Sequence, residues 1–311
     1  MPQLKSHLGS PLLIRSPIGF FVALTVLIFL NPFGTRAQTP ERPLSLAVLD
    51  FGDSALGRLA SERFASNLRA ESIVILDRDQ VRAAARGVGY SGSMNLPLNE
   101  ARNLGAVLGC DFFILGDAQT LRRSPSTGPV YFESYASIFL VSSRTGRLVS
   151  WERPTFRGST QAAAEGALFS ELSSGGARHR KLISLRRAQE RERGERELAV
   201  DQQTPIIEEA PDDDKRAEAE GLRLPHPFRR LIPAYPETAA LAEAEATVDV
   251  LVDLDASGEV TGVEVARWAG FGLDETTVET VRQLHFFPAM RDGVAIPIRV
   301  LLRYNFRKPP R

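Results

Sequence analysis

The chain has 311 residues, enough for about two domains of ordinary size. Lys plus Arg and Asp plus Glu both number 38, so no net field draws the protein to nucleic acid, while 43% apolar residues can supply real cores. The single cysteine, Cys110, excludes an internal disulfide and a thiolate metal cage, and the four histidines (His7, His179, His226, His285) lack partners at metal-ligand spacing, so neither metal nor cofactor is expected.

The first stretch reads as an export signal. Lys5 and Arg15 precede an apolar run over 18–30, Asn31, Pro32 and Gly34 break it, and small residues Thr35 and Ala37 flank Arg36. Cleavage is expected after Ala37, giving a signal peptide over 1–37. An uncleaved anchor is the rival, but thirteen apolar residues reach only about 20 Å as a helix against a hydrocarbon core of ~30 Å. No cysteine follows the run, so no lipid anchor is expected. Removal of Lys5, Arg15 and Arg36 leaves a slightly acidic chain outside the cytoplasm.

From residue 43 to 174 the pattern is α/β. "LSLAVLDFGD" (44–53) is a short apolar run ending in Gly and Asp, as a buried strand does. Leu56, Leu59, Phe64 and Leu68 recur at helical spacing over 55–72. "SIVILDR" is a second strand; helices follow over 79–86 and 99–109, and "CDFFILGDAQ" (110–119) is a third strand. "VYFESYASIFLV" and "RLVSWERP" make a hairpin with Gly146 in its turn, and a helix over 160–172 closes the unit. "GVGYSG" (87–92) matches GxGxxG, but a helix precedes it where a dinucleotide site needs a strand, so its glycines read as a helix end and a loop. Asp50 and Asp53 at the end of the first strand read as capping residues, and Cys110 as a small core residue. No nucleophile with a base, no Walker loop and no His pair can be named, so an enzyme is not expected.

Residues 175–225 form a charged stretch: Arg178, Arg180, Lys181, Arg186 and Arg187 in its first half, "EEAPDDDKRAEAE" in its second. Few aromatics and high charge predict a linker, partly helical and partly loose. A loose chain of that length spans ~40 Å r.m.s., enough for two domains to engage different partners.

Residues 226–308 read as a small α+β unit. "YPETAALAEA" is a short helix. In "ATVDVLVDLDASGEV", Val248, Val250, Val252 and Leu254 face one way and Asp249 and Asp253 the other, before a turn at Gly258 into "EVTGVEVARW". A helix is expected over 273–285, N-capped by Asp274, with Leu273, Val278, Val281 and Leu284 inward. His285 stands at its end with no second ligand. The last strand, "IPIRVLLRYNF", turns Ile296, Ile298, Val300, Leu302, Tyr304 and Phe306 inward and Arg299, Leu301, Arg303 and Asn305 outward.

This last unit resembles the TonB C-terminal domain family over about residues 230–306. The carriers, in order, are "PAYP" (Pro233, Tyr235, Pro236), the strand pair around Gly258, "LDETTVETVRQLHFFPA" (Leu273, Asp274, Phe287, Pro288), "RDGVAIP" (Gly293) and "RYNF" ending at Phe306. The sequence departs from the family at "WAGFG" (268–272), where small residues are usual, and at Thr277 and Val278, where alanines are common. The resemblance implies that Phe287 is the core aromatic. It also implies a periplasmic domain that grips an extended peptide of an outer-membrane receptor, or another envelope protein, by adding it to a sheet edge. We expect that edge at the last strand, around Arg299, Leu301, Arg303 and Asn305. The family's energy transducers also carry an anchoring helix with a histidine that meets an inner-membrane motor, and a proline-rich spacer; neither pattern is present here. Motor proteins and self-association stay open as further partners.

Residues 44–156 resemble the CsgG-type α/β fold of envelope assembly proteins. "AVLDF", "IVILDR", "ARNLGAVLGCDFFILGDAQ" and "LVSSRTGRLV" carry the likeness. Channel-forming members insert long membrane hairpins; here "TLRRSPSTGPVYFESY" is too short, since each spanning strand needs ~9–11 residues. The expected whole is a non-enzymatic envelope adaptor, exported through its N-terminal signal to the periplasm of a Gram-negative-type bacterium. An anchored transducer and a secretion or assembly accessory factor are its alternatives.

Overall fold

The computed structural model describes residues 42–70, 72–201, 207–211 and 213–308, the side chains at 199–201 and 214 excepted. The expected signal over 1–37 lies outside the described residues. Among them, no helix is long and apolar enough to cross a membrane.

The first region runs β1 (Leu44–Val48), α1 (Ala55–Leu68), β2 (Ile73–Ile75), α2 (Arg78–Gly87), α3 (Leu98–Leu108), β3 (Phe112–Arg123), β4 (Tyr131–Ser142), β5 (Leu148–Glu152), β6 (Thr155–Gly158) and α4 (Gln161–Leu172). The strand order is β2-β1-β3-β4-β5, with β6 also on β4; β1 is parallel to β2 and β3, and the remaining pairs are antiparallel. Side-chain caps start α1, α2 and α4: Ser54 Oγ accepts from Gly57 N–H, Asp77 Oδ1 from Asp79 and Gln80, and Thr160 Oγ1 from Ala163. Alternation along β3 divides the core. Phe112 and Ile114 join Phe64, Ile138, Leu140 and Leu168 on one face; Phe113 and Leu115 join Phe139 and Val141 on the other.

The charged stretch opens as one helix, α5 (Gly175–Asp201). Ala177, Lys181, Leu185 and Ala188 are buried at i, i+4, i+8 and i+11, and Leu185 and Ala188 join the first face of the sheet. Lys181 Nζ lies 2.9 Å from Glu152 Oε1 at 3% exposure. Glu192 takes Arg144 at 2.9 Å, and Glu195 takes Arg147 at 3.1 Å. This half is a packed element and not a solvated tether, because Leu185 and Ala188 seat on the sheet and buried Lys181 pairs with Glu152.

After α6 (Asp214–Ala219), β7 (Leu222–Arg223) and β8 (His226–Pro227) come α7 (Glu237–Ala242), β9 (Ala246–Leu254), β10 (Val260–Arg267), α8 (Leu273–Val281), β11 (Phe286–Phe287), β12 (Ala289–Arg291), β13 (Val294–Ile296) and β14 (Ile298–Phe306). The main sheet has the order β10-β9-β14, all antiparallel. Val248, Val250, Val252 and Leu254 are buried as their alternation requires. Three expectations are corrected. The helix stops at Val281, short of His285. Gly272, not Asp274, is its N-cap; Asp274 reaches back from the first turn to accept from the amides of Ala269 and Gly270 at 2.8 and 2.9 Å. The core aromatic is Phe286, 1% exposed, whereas Phe287 is 47% exposed and packs on His226 and Phe228. Adjacent residues of an extended segment face opposite ways, so one position decides which phenylalanine is inside.

The two regions share a core. Trp268, 1% exposed, stacks on Phe139 at 5.8 Å and donates from Nε1 to Gly146 O at 3.0 Å. Phe271 lies 5.4 Å from both Phe139 and Trp151. A Cβ on Gly270 (φ 74°) would stand 2.6 Å from Phe139, so only glycine admits this approach. Asn95 pins the contact: its Nδ2 donates to Thr247 O at 2.8 Å and Trp268 O at 2.6 Å, and its Oδ1 accepts from Thr247 N at 3.1 Å. The free relative movement expected of a loose tether is replaced by direct packing.

Candidate functional site

β14 is an edge of the three-stranded sheet among the described residues, held along its whole length to β9 from Ile298↔Leu254 to Phe306↔Ala246. Arg299 turns its main chain away from β9. Its N–H donates to Glu208 O at 2.7 Å, and its C=O accepts from Ala210 N–H at 2.8 Å, so Glu209 pairs with it as a parallel rung. Backbone polar groups alternate along a strand, which puts the main-chain groups of Leu301, Arg303 and Asn305 on the same side as those of Arg299. The four residues expected at the edge therefore share one main-chain direction.

Their side chains lock onto β9. Arg299 reaches Asp253 with Nε and Nη2 at 2.6 and 2.9 Å, and Arg303 reaches Asp249 at 2.7 and 3.0 Å, two forked pairs on one face. Asp249 also accepts from Arg267 at 3.1 Å. Its burial would raise the carboxyl, but the bonds from Arg303 and Arg267 outweigh that and hold it below the usual range. Thr247 Oγ1 donates to Asn305 Oδ1 at 2.8 Å, and Leu301 stands 44% exposed between the two arginines.

The remaining family-type residues position this strand. Pro236 caps α7, and Tyr235, beside buried Pro233, donates to Ala244 O at 2.7 Å and packs near Phe306 at 6.4 Å. Gly258 (φ 88°) closes the β9–β10 turn, with its carbonyl accepting from Phe286 N. Leu273 is fully buried, Pro288 separates β11 from β12, and Gly293 (φ 82°) turns β12 into β13. His285 sits exposed, its Nδ1 2.9 Å from Glu259.

Other clefts hold no comparable arrangement. A crevice beyond the end of β1, beside the middle of β3, is lined by Asp50, Arg58, Arg78, Arg82 and the 90–92 loop. Asp50 there takes Arg78 at 2.8 Å and Arg82 at 3.1 Å and caps no helix; Ser54 caps α1, and Asp53 offers its carbonyl to Arg58. Gly87 ends α2, and Gly89 and Gly92 take positive φ in the loop beyond. Cys110 is half-buried, 3.4 Å from Ser143 Oγ. A cavity of 790 Å³ lies between β5 and β10, lined by Trp151, Trp268 and Asp274. No cluster of His, Cys, Asp and Glu among the described residues could hold a metal. Sequence reading missed Asn95 and the 208–210 rung; "WAGFG" was the one visible signal, a departure that is explained by packing on Phe139.

Residues 232–307 match the family described as Gram-negative bacterial TonB protein C-terminal. Among solved structures, the chain is similar to the TonB CTD of Pseudomonas aeruginosa, with 20% identity over 28% of this chain and 89% of that one and a TM-score of 0.25. Lipoprotein GNA1162 from Neisseria meningitidis is 18% identical over 42% of this chain and 95% of that one, with a TM-score of 0.31. The hypothetical protein CT253 from Chlamydia trachomatis is 12% identical over 42% and 94%, also with a TM-score of 0.31. No curated protein matches in sequence. The chain thus carries a TonB C-terminal-like region near 232–307. Domains of this family are non-catalytic, protein-binding modules of the cell envelope that typically bind outer-membrane receptors, which is consistent with a non-enzymatic protein.

Proposed function

We propose that the protein is a periplasmic adaptor whose TonB C-terminal-like region grips an extended peptide of an outer-membrane partner by strand addition to β14. The observation that carries this reading is the main-chain rung at Arg299, where the edge already accepts a strand from residues 208–210. Backbone pairing supplies affinity without demanding one sequence, and side-chain neighbours select among partners. The first region, with its CsgG-type sequence likeness, serves as the envelope-facing scaffold. A transport-related role follows from the partner class.

The test uses the full chain. A photo-crosslinking residue in place of Leu301 should capture an outer-membrane receptor in cells. Arg299→Pro and Arg303→Pro, at edge positions where proline is tolerated, should abolish the adduct while the thermal midpoint shows a retained fold. Adduct yield unchanged by both prolines removes strand addition. N-terminal sequencing of the exported protein should give Gln38 as its first residue; retention of residues 1–37 would instead favour an anchored transducer that meets an inner-membrane motor.

A further inference from the structure

Residues 207–210 lie in the acidic half of a charged stretch, with no strand periodicity of their own, yet they seat on the sheet edge. Three contacts define the seat. The main chain of Arg299 takes Glu208 O and Ala210 N–H. The Arg291 guanidinium grips both carboxylate oxygens of Glu208, at 2.5 and 2.7 Å, and holds that carboxyl below its usual range. Ala210 packs half-buried on the shared core. The direction is parallel to β14, and the rung falls on its first outward-facing residue, Arg299.

We propose that residues 207–210 are a built-in stand-in for the partner, holding the start of the β14 edge until a partner strand displaces them. This rests on the strand-addition reading above. The stand-in also states what the partner should offer: an extended segment parallel to β14, with an acidic residue for Arg291 and, two positions on, a small apolar residue. One rung and one solvent-facing ion pair make a weak hold, suited to exchange.

Ala210→Pro removes the amide that donates to Arg299 and leaves all charges in place. Glu208→Lys opens the seat by a second route, through like charge on Arg291. In ¹⁵N-labelled full chain, both variants should speed hydrogen exchange of the Arg299 amide at least tenfold. The probe is a synthetic peptide of residues 204–211, TPIIEEAP. It should shift the Leu301 amide of Ala210→Pro at a tenfold lower concentration than in wild type. Replacing the peptide's first glutamate by glutamine should weaken it, and adding Arg299→Pro to the protein should abolish it. If both variants speed exchange but bind the peptide no better than wild type, the stand-in is refuted. Receptor peptides that bind wild type and Ala210→Pro equally well would leave strand addition intact and overturn self-occupation. Binding of TPIIEEAP to the opened edge without any receptor adduct at residue 301 would support self-occupation and overturn the receptor reading.

Discussion

Asp274 is pulled in two directions. Burial pushes its carboxyl up to about 7, while the amides of Ala269 and Gly270 favour the charged form and the nearby Glu275 opposes it. The unfolded chain returns the group to its usual value near 3.8. Between those values the folded chain keeps a proton that the unfolded chain has lost. Its contribution to stability is therefore complete below about pH 4 and declines as pH rises through about 7. Asp274→Asn should flatten the fall in thermal midpoint between pH 5 and pH 8; an identical slope in the two proteins would disprove the assignment. Asn95 offers a second residue-scale test. Asn95→Ala leaves the carbonyls of Thr247 and Trp268 and the Thr247 amide without their partner, and should cost about 2 kcal/mol in urea unfolding. Neither role was readable from sequence. A helix-start Asp looks like a cap whichever way its side chain turns, and a lone Asn in "SMNLPL" gives no sign of partners 152 and 173 positions away.

At the scale of elements, α5 shows how charge hides packing. Its apolar stripe is thin and one of its buried positions is a lysine, so composition predicts a tether. Burial lowers the affinity of Lys181 for its proton, and Glu152 opposes that shift. Lys181→Ala should destabilise by about 3 kcal/mol, because Glu152 loses its buried partner. Lys181→Met should cost clearly less, since it keeps the packing volume; equal losses in a denaturant titration would show that the charge has no part. Apolar runs and strong alternation were legible. β1 and β3 fall in their apolar runs, β9 and β14 where their alternation puts them, and the inward and outward residues of β14 alternate as expected. The choice between Phe286 and Phe287 was not legible, because both satisfy an apolar pattern and only the pairing with β8 fixes the face.

For the whole molecule, the decisive feature is the aromatic contact between regions. Cutting the chain before residue 226 should leave a C-terminal piece with Trp268 and Phe271 uncovered. That piece should melt lower than the full chain and regain stability when the first region is supplied in trans; equal midpoints would make the shared core dispensable. Trp268→Ala in the full chain should cost about 3–5 kcal/mol, the range for a large buried aromatic. The shift in composition at residue 175 suggested two regions joined by a tether, but the described residues pack as one unit, since contacts such as Trp268 on Phe139 join segments with no common pattern. The aromatic contact has a mechanical consequence. If a partner strand adds to β14 as proposed, a tug on it would be borne by β9, through the Asn95 bonds to Thr247 and Trp268, and then by Phe139 in the sheet of the first region.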